Sequence, residues 1–433
     1  MANKGILIIG AGLAGLSAAW HLQRKGVDCR VFEKEPEIGG LCRSKKIAGF
    51  TFDCDGHLLH FRHRYTFRLI QGLLKGNLIE HQRSAWIYSS GRYSRYPFQA
   101  NLHGLPLSVI KDCLLGFLEA SKNGHSRNRK KLNFLDWITL TFGRGIARHF
   151  MVPYNAKFWK VPLGELTCDW LDGFIPVPSL NQIIEGATGD SKMQLGYNAR
   201  FWYPKREGIA SVPLAFTRGL KNLYTNAEII KINLRTKEIT LACGSKEKFD
   251  RLIFTLPLPE MPNLITEFPA RIRCLFSRLR WNSIFNLNLG LDKKDELLRH
   301  WVYFPDRKSC FFRVGFSHNF SPSLAPPGKG SLYTEVSYSK TKPFDKRKIV
   351  ARIKEDLKKV GILTEKGKIC SEDINDIKYA YPVYDKHYHE ARGEILKYLM
   401  HNDIIPCGRY GSWRYMSMED VLLNGKTVAD NLL

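Results

Sequence analysis

The sequence lacks the features that mark several large classes of protein. No stretch of 18 or more apolar residues occurs in its 433 residues, so no membrane-spanning helix is predicted. The ten cysteines are scattered singly, without a C-x-x-C pair, which argues against a zinc site and favours reduced thiols in the cytoplasm. No low-complexity tract and no internal repeat is visible. With 44% hydrophobic and 12% aromatic residues, the composition is that of a globular protein with two or three subdomains.

Acidic residues are few relative to basic ones. The 41 Asp and Glu residues face 66 Lys and Arg residues, which gives a formal net charge of +25. Part of the excess is clustered in residues 127–131 and 340–359. Such an excess favours an anionic substrate, with peripheral contact to an anionic membrane surface as an alternative. No zinc-finger, RNP or helix-turn-helix pattern accompanies the charge, so no nucleic-acid partner is expected.

The N-terminal segment carries a dinucleotide-binding pattern. Residues 6–9 predict a buried parallel strand, a G-x-G-x-x-G turn follows, and residues 16–25 have helical periodicity. A second apolar strand at 29–32 ends in an acid. The three glycines allow a tight turn, approach of a diphosphate to the helix N-terminus and close packing of helix on strand, and the acid can bind a ribose hydroxyl. The residues predicted to bind the dinucleotide here are Gly10, Gly12, Leu13, Ala14, Gly15, Glu33 and Lys34.

Two further segments favour FAD over NAD as the dinucleotide. Residues 35–44 (EPEIGGLCRS) resemble the second glycine motif of glutathione-reductase-like FAD proteins, and residues 49–53 predict a hairpin arm leading to a Gly-His pair that faces the flavin ring in such enzymes. Residues 408–415 (GRYGSWRY) precede a helix predicted over 419–433, whose N-terminus suits the flavin side of the cofactor. The additional residues predicted to bind FAD are Gly40, Leu41, Arg43, Gly56, His57, Gly408 and Arg409. No metal site is predicted.

The order of strand and helix patterns predicts an α/β fold in three parts. A Rossmann-like, glutathione-reductase-like FAD-binding domain is expected to be discontinuous, with an inserted helical domain for substrate or nucleotide and a second, mainly antiparallel β-sheet domain for substrate. The predicted ranges are 1–80, 196–265 and 376–433 for the FAD-binding domain, 103–195 for the helical domain, and 81–102 and 266–375 for the β-sheet domain.

Seven short segments resemble the UDP-galactopyranose mutase family, particularly its eukaryotic-type branch. They occur in the order of the family and, with the N-terminal motif, extend the resemblance over nearly the whole chain. The segments are 81–83 (HQR), 96–99 (YPFQ), 153–162 (PYNAKFWKVP), 198–201 (NARF), 301–313 (WVYFPDRKSCFFR), 381–382 (YP) and 408–415 (GRYGSWRY).

The resemblance implies an isomerase that interconverts the pyranose and furanose forms of a nucleotide-diphosphate sugar, as in the supply of galactofuranose for cell-surface polysaccharides. It implies that N5 of reduced FAD attacks the anomeric carbon, with NADPH or NADH as the reductant. It assigns two catalytic residues, His57 at the flavin and Arg313 in a mobile loop that clamps the diphosphate. The implied substrate-binding residues are Arg83, Gln99, Tyr154, Asn155, Trp159, Asn198, Trp301, Tyr303, Tyr381 and Tyr415.

One departure from the family pattern concerns the diphosphate. Phe174 stands where the family has a second diphosphate-binding arginine, and the loss of that cation weakens binding by about 1.5–3 kcal/mol unless Lys160, Lys205 or Arg206 replaces it. The departure favours a substrate other than UDP-galactopyranose itself. Two alternatives stay open: an FAD-dependent oxidase or desaturase of the amine-oxidase or protoporphyrinogen-oxidase type, and a non-catalytic FAD-bound scaffold.

Overall fold

The fold is taken from a computed structural model that describes residues 5–122, 132–171, 175–189, 196, 199–364 and 367–432. The predictions for Phe174, Asn198 and the basic cluster 127–131 fall outside these described residues. The strands are β1 (Ile6–Ile9), β2 (Cys29–Phe32), β3 (Ser44–Ile47), β4 (Phe50–Asp53), β5 (Ile79–Gln82), β6 (Ala85–Ser89), β7 (Arg92–Arg95), β8 (Arg200–Tyr203), β9 (Leu223–Tyr224), β10 (Ile229–Asn233), β11 (Glu238–Leu241), β12 (Lys246–Lys248), β13 (Arg251–Phe254), β14 (Trp281–Leu291), β15 (Trp301–Tyr303), β16 (Arg313–Gly315), β17 (Gly330–Tyr338), β18 (Ile369–Pro382) and β19 (Ile404–Pro406). The helices are α1 (Leu13–Arg24), α2 (Arg64–Leu74), α3 (Leu107–Lys122), α4 (Phe134–Ile146), α5 (Val152–Trp159), α6 (Leu180–Thr188), α7 (Ser211–Thr217), α8 (Met261–Leu264), α9 (Ala270–Phe276), α10 (Lys346–Lys359), α11 (Tyr388–His401), α12 (Gly408–Gly411) and α13 (Met418–Asn431).

A parallel five-stranded sheet contains the N-terminal strand. Its order is β19-β13-β1-β2-β9, so strands from both ends and from the middle of the chain meet in it. Both faces of β1 are buried, which accounts for its unbroken apolar sequence. Ile6 and Ile8 belong to a core formed with α1 and α13, whereas Leu7 and Ile9 belong to a second core formed with β10, β11 and α11.

The second large sheet has seven strands and is mainly antiparallel. Its order is β18-β14-β17-β16-β15-β6-β7, and the one parallel pair within this sheet joins β15 to β6. Strands β6 and β7 form an antiparallel hairpin, with its turn at Ser90 and Gly91. The parallel sheet and this additional sheet confirm the predicted fold class. The division into three domains stays a prediction, and its boundary at residue 376 falls inside β18.

The helical segment lies between β7 and β8 in sequence. Helix α3 packs so closely on α4 that a Cβ at Gly116 or Gly145 would contact the backbone of the opposite helix. A π-helical stretch, Ala147–Met151, then connects α4 to α5. Within the described ranges, no helix combines the length and the apolar character needed to span a membrane.

One buried carboxylate holds the C-terminal helix against the first third of the chain. Glu419, in the first turn of α13, is 1% exposed. It accepts hydrogen bonds from the backbone N–H groups of Arg62 and His63, each at about 3.0 Å, and from the Thr66 hydroxyl. These donors lie at the N-terminus of α2, where backbone N–H groups lack partners in the helix. Glu419 therefore supplies a cap for α2 from a residue more than 350 positions away.

We expect Glu419→Ala to lower the free energy of unfolding by about 2–3 kcal/mol, because it removes the buried acceptor of two backbone N–H groups and of the buried Thr66 hydroxyl. Urea unfolding of the flavin-loaded protein measures this change. Glu390→Ala is the matched control: it removes an exposed acid that pairs with Arg278 at the surface, and its effect should stay within about 0.5 kcal/mol. Equal losses in the two variants would contradict the capping role.

Candidate active site

A cavity of about 870 Å³ lies between the two sheets. One end lies at the carboxyl ends of the parallel strands, where Ile9, Phe32 and Thr255 line it. The other end lies against the seven-stranded sheet and the start of α13. In open α/β sheets, ligands bind outside the carboxyl ends of the parallel strands, so the position of the cavity is that of a nucleotide site.

The glycine turn after β1 forms the first end of the cavity. Gly10 has a φ of +95°, which favours glycine, and a Cβ at Gly15 would overlap the carbonyl oxygen of Gly10. A Cβ at Gly12 would meet only the Cα of Gly40, at 3.9 Å. The turn therefore presents bare backbone, and the N-terminus of α1, to the cavity.

Glu33 holds the end of β2 against this turn. Its carboxylate accepts hydrogen bonds from the Ala11 N–H at 2.7 Å and from the Glu35 N–H at 3.0 Å. The residue is buried and lines the cavity. A carboxylate oxygen has a second lone pair available for a ribose hydroxyl. This arrangement fits the adenosine diphosphate part of a flavin dinucleotide.

Most of the predicted FAD-binding residues line the same cavity. Gly15 and Gly408 do not line it: Gly15 acts through its contact with Gly10, and the Gly408 N–H donates to Asn424 at 2.7 Å. The predicted residues that line the cavity are Gly10, Gly12, Leu13, Ala14, Glu33, Lys34, Gly40, Leu41, Arg43, Gly56, His57 and Arg409.

Polar side chains without protein partners occur at the second end of the cavity. Nδ1 of His57 and Nε of Arg409 are both buried and have no partner among the described residues. Burial and the nearby Arg409 lower the pKa of His57 to about 4, so the imidazole is neutral at physiological pH. The Arg409 guanidinium lies over the rings of Tyr381 and Tyr415, 4.3 and 5.0 Å from their centroids. Unsatisfied buried groups of this kind fit a polar ring system such as that of the flavin.

Arg313 also lines the cavity, but in a different setting from the one expected. It belongs to β16 rather than to a loop, so the expectation of a loop arginine is wrong. Its guanidinium forms a bidentate ion pair with Glu335, which lies directly opposite on β17. In this pair Nη2 and Oε1 are 2.8 Å apart. Glu335 is completely buried. The charge of Arg313 is thus compensated within the protein.

Hydrogen bonds from Lys157 hold the loop before β16 against the helical segment. The Lys157 ammonium donates to the carbonyl oxygens of Phe304 at 2.8 Å and Phe311 at 3.1 Å, and to the Ser309 hydroxyl at 3.2 Å. It also donates to the carbonyl oxygen of Asp306 at 2.5 Å. Four acceptors around one ammonium compensate for its burial and hold residues 304–312 against α5.

The predicted substrate-binding residues fall into two groups. Trp301, Tyr303, Tyr381 and Tyr415 line the cavity. Arg83, Gln99, Tyr154, Asn155 and Trp159 do not line it, and their roles stay predictions. Lys160, Lys205 and Arg206, the candidate replacements for the arginine expected at position 174, do not line it either.

In the second group, the two aromatic residues of α5 pack against the residues that line the cavity. The Tyr154 ring packs edge-on against Tyr303, with centroids 5.4 Å apart, and the Trp159 ring packs against Tyr381. The amide of Asn155 donates to the Met151 carbonyl in the preceding turn. The remaining two side chains also have protein contacts: Arg83 lies over the Tyr96 ring, and the Gln99 amide donates to the Pro176 carbonyl.

The acidic partners in this site were not predicted from the sequence. Asp55 lines the cavity next to Gly56 and His57, and Glu335 sits beneath it in β17. A signal existed for Glu335, because it is the one acid within the otherwise apolar and hydroxyl-bearing strand of residues 330–338. Asp55 had no comparable signal, since acids are common in turns.

Fold, glycine turn and buried polar groups together define a flavoprotein with a substrate cavity beside its dinucleotide site. The model of the flavin-containing amine oxidoreductases matches residues 13–433. The chain therefore belongs to the flavin-containing amine oxidoreductase family, and it is a flavoenzyme with FAD as its cofactor.

Individual relatives differ in their chemistry. The crystal structure of a reduced UDP-galactopyranose mutase superposes with a TM-score of 0.94 and 27% identity, covering 100% of this chain and 94% of that one. A redesigned putrescine oxidase superposes with a TM-score of 0.69 and 15% identity, over 99% and 98% of the two chains, which indicates the fold alone. A zeta-carotene-forming phytoene desaturase of Myxococcus xanthus is 25% identical over 381 residues, 77% of this chain and 72% of the desaturase.

We expect Gly15→Ala to weaken FAD binding by about 10-fold or more, because an added methyl group must displace the Gly10 carbonyl at the diphosphate turn. The flavin-to-protein absorbance ratio after dialysis, and FAD titration of the stripped protein, measure the effect. Gly72→Ala is the matched control, since a Cβ at this α2 position meets nothing within 4 Å. Full FAD content in Gly15→Ala would show that the close contact is not needed for binding.

Proposed function

We propose that the protein is a flavin-dependent mutase that interconverts the pyranose and furanose forms of a nucleotide-diphosphate sugar. The observation that carries the proposal is the likeness of the whole chain to a reduced UDP-galactopyranose mutase, at 27% identity and a TM-score of 0.94. The likeness covers the cavity as well as the dinucleotide-binding part. The proposal is also supported by the second end of the cavity, which is lined by four aromatic residues that carry a hydroxyl or an indole N–H group.

The aromatic wall has the chemistry needed to hold an anionic sugar nucleotide. The hydroxyl groups of Tyr303, Tyr381 and Tyr415 and the indole of Trp301 are hydrogen-bond donors to phosphoryl oxygens. Burial raises the pKa of Tyr381, so its hydroxyl keeps its proton. The Trp301 N–H is buried and has no partner among the described residues, which leaves it available to a ligand.

Two of the arginines that line the cavity, Arg313 and Arg409, have different roles, and these roles differ from the expected clamp in which Arg313 binds the diphosphate. Arg313 is compensated by Glu335, whereas Arg409 contacts the Tyr381 and Tyr415 rings and a backbone carbonyl. Arg409 therefore retains the positive charge that attracts a diphosphate into this end of the cavity. Reduced FAD, when bound, supplies a nucleophilic nitrogen for the anomeric carbon. The aromatic wall positions the sugar and excludes water from it.

A second candidate is an FAD-dependent oxidase or desaturase. The observation that favours it is the relation to the phytoene desaturase, which extends over 77% of this chain. Such an enzyme removes electrons from its substrate and needs an acceptor. The two candidates therefore differ in whether redox equivalents are consumed.

The test is a turnover assay on the FAD-loaded protein. We expect the dithionite-reduced protein, and not the oxidised one, to convert at least one member of a panel of pyranose nucleotide sugars to its furanose form, with no acceptor consumed. Separation of the two ring forms by chromatography measures the product. Absence of furanose across the panel, together with consumption of an acceptor during turnover, would replace the mutase by the oxidase or desaturase.

We expect Tyr381→Phe to lower kcat/KM of the mutase reaction by about 10-fold or more, the effect of losing one hydrogen bond to a charged group. Tyr93→Phe is the matched control. Tyr93 lies on β7, and its hydroxyl makes a long contact of 3.4 Å with the Val360 carbonyl outside the cavity. Unchanged kcat/KM in Tyr381→Phe would remove this tyrosine from the diphosphate site.

A further inference from the structure

Two carboxyl groups lie close together at the floor of the cavity. Asp55 follows β4, which pairs with β3 in a two-stranded sheet, and Glu335 lies in β17 of the seven-stranded sheet. Glu335 has no exposed surface, and the exposed part of Asp55 lines the cavity. Asn286 lies directly opposite Glu335 in the β14–β17 register, and its amide is 3.4 Å from Oδ1 of Asp55, so the two carboxyl groups are neighbours. Two ionised carboxylates that are neighbours in a buried site repel each other, and a proton retained by one of them would remove that repulsion.

The surroundings provide a reason for the pair to keep that proton. Two negative charges here would share one direct ion-pair partner, the Arg313 guanidinium bonded to Glu335. Burial raises the pKa of Asp55, and it raises the pKa of Glu335 to about 8. Two carboxyl groups that interact in this way titrate as a unit. The charged and titratable groups around the pair are Arg313 from β16, Tyr333 from β17, Tyr303 from β15, Arg409 and Tyr410 from α12, and His57 from the Asp55 turn.

The backbone at Asp55 is held in an uncommon conformation. Its φ is +103°, a left-handed value that is costly for a residue other than glycine. The His57 N–H donates to the Asp55 carbonyl at 3.0 Å, and the Asn286 amide makes a long contact with Oδ1 at 3.4 Å. These contacts fix the carboxyl at the cavity surface instead of releasing it to solvent. The unpartnered Nδ1 of His57 at the same surface independently indicates that a ligand completes this part of the site.

We propose that Asp55 and Glu335 form a proton-sharing carboxyl pair that serves as the acid–base group of the cavity. The substrate part of this inference rests on the proposed mutase function. When a sugar ring opens, the ring oxygen becomes a hydroxyl and takes up one proton; when the other ring closes, a different hydroxyl loses one. The pair gives its proton to the first oxygen and takes one back from the second, so protons balance over a turnover and no electrons are exchanged with the pair.

His57 is the other candidate for this role, and it is less suited to it. Burial and the nearby Arg409 lower its pKa to about 4, so at neutral pH it is not the imidazolium that a general acid must be. A conjugate acid with so low a pKa also makes it a weak base. Neutral His57 can still orient a ligand through a hydrogen bond.

The test uses Asp55→Asn in the FAD-loaded protein. The amide donates a hydrogen bond to Glu335, tolerates the positive φ and carries no transferable proton. At pH 7, infrared spectra are expected to show a protonated-carboxyl band in the wild type that is lost in Asp55→Asn. In the mutase assay, kcat is expected to fall by about 100-fold or more. The decline of wild-type kcat above about pH 8, where the pair loses its proton, should also disappear in the variant.

Asp53→Asn is the matched control. Asp53 is a neighbouring carboxyl that accepts hydrogen bonds from Ser44, Tyr203 and the Ile209 N–H and does not line the cavity. It should keep the pH 7 band and the alkaline decline of kcat. If Asp55→Asn loses its FAD, Glu335→Gln provides the same two readouts.

The outcomes separate this inference from the proposed function. A band absent from the wild type, or retained in Asp55→Asn, would overturn the shared proton. A band lost while kcat stays within about threefold would overturn the acid–base role. A wild-type band lost in Asp55→Asn, in a protein that forms no furanose from any sugar nucleotide, would support the shared proton and overturn the mutase function together with the acid–base role on a sugar.

Discussion

The ion pair between Arg313 and Glu335 is the interaction on which the chemistry of the cavity depends. It places one positive and one negative group on adjacent strands, in a position where neither is stable alone. Without Arg313, Glu335 would be an uncompensated buried charge. Without Glu335, Arg313 would be a free cation at the cavity floor. The pair fixes β16 against β17, and its charges shift the pKa values of Asp55 and His57. The protein itself therefore sets the protonation state of the site before a ligand binds.

The dinucleotide-binding part could be predicted from the sequence because its physics is local. A tight turn, a close helix and an acid after the next strand occupy about 25 consecutive residues, and each requirement selects a residue type. The β3–β4 hairpin was predictable for the same reason. The resemblance to a known family added Trp301, Tyr303, Tyr381 and Tyr415, which line the cavity.

The rest could not be predicted because it depends on pairings between distant segments. Nothing near residue 313 indicates that it lies in a strand opposite Glu335, and nothing near Glu419 indicates that it caps α2. The same limit explains Tyr154 and Trp159, whose aromatic rings suggest a binding pocket but pack behind Tyr303 and Tyr381. Residue type alone does not distinguish an aromatic side chain that lines the cavity from one that packs behind the lining residues.

Charge in the site links substrate binding to proton retention. With its shared proton, the Asp55–Glu335 pair carries one negative charge opposite Arg313 and Arg409; without the proton it carries two, and the attraction for an anion falls. An anionic ligand bound near the pair raises the pair's affinity for its proton, because an added negative charge disfavours the ionised form. The two effects are reciprocal, as linkage requires. A diphosphate in the cavity would therefore hold the pair in the protonated form that the proposed ring opening uses, and departure of the diphosphate would make the same carboxyls more acidic.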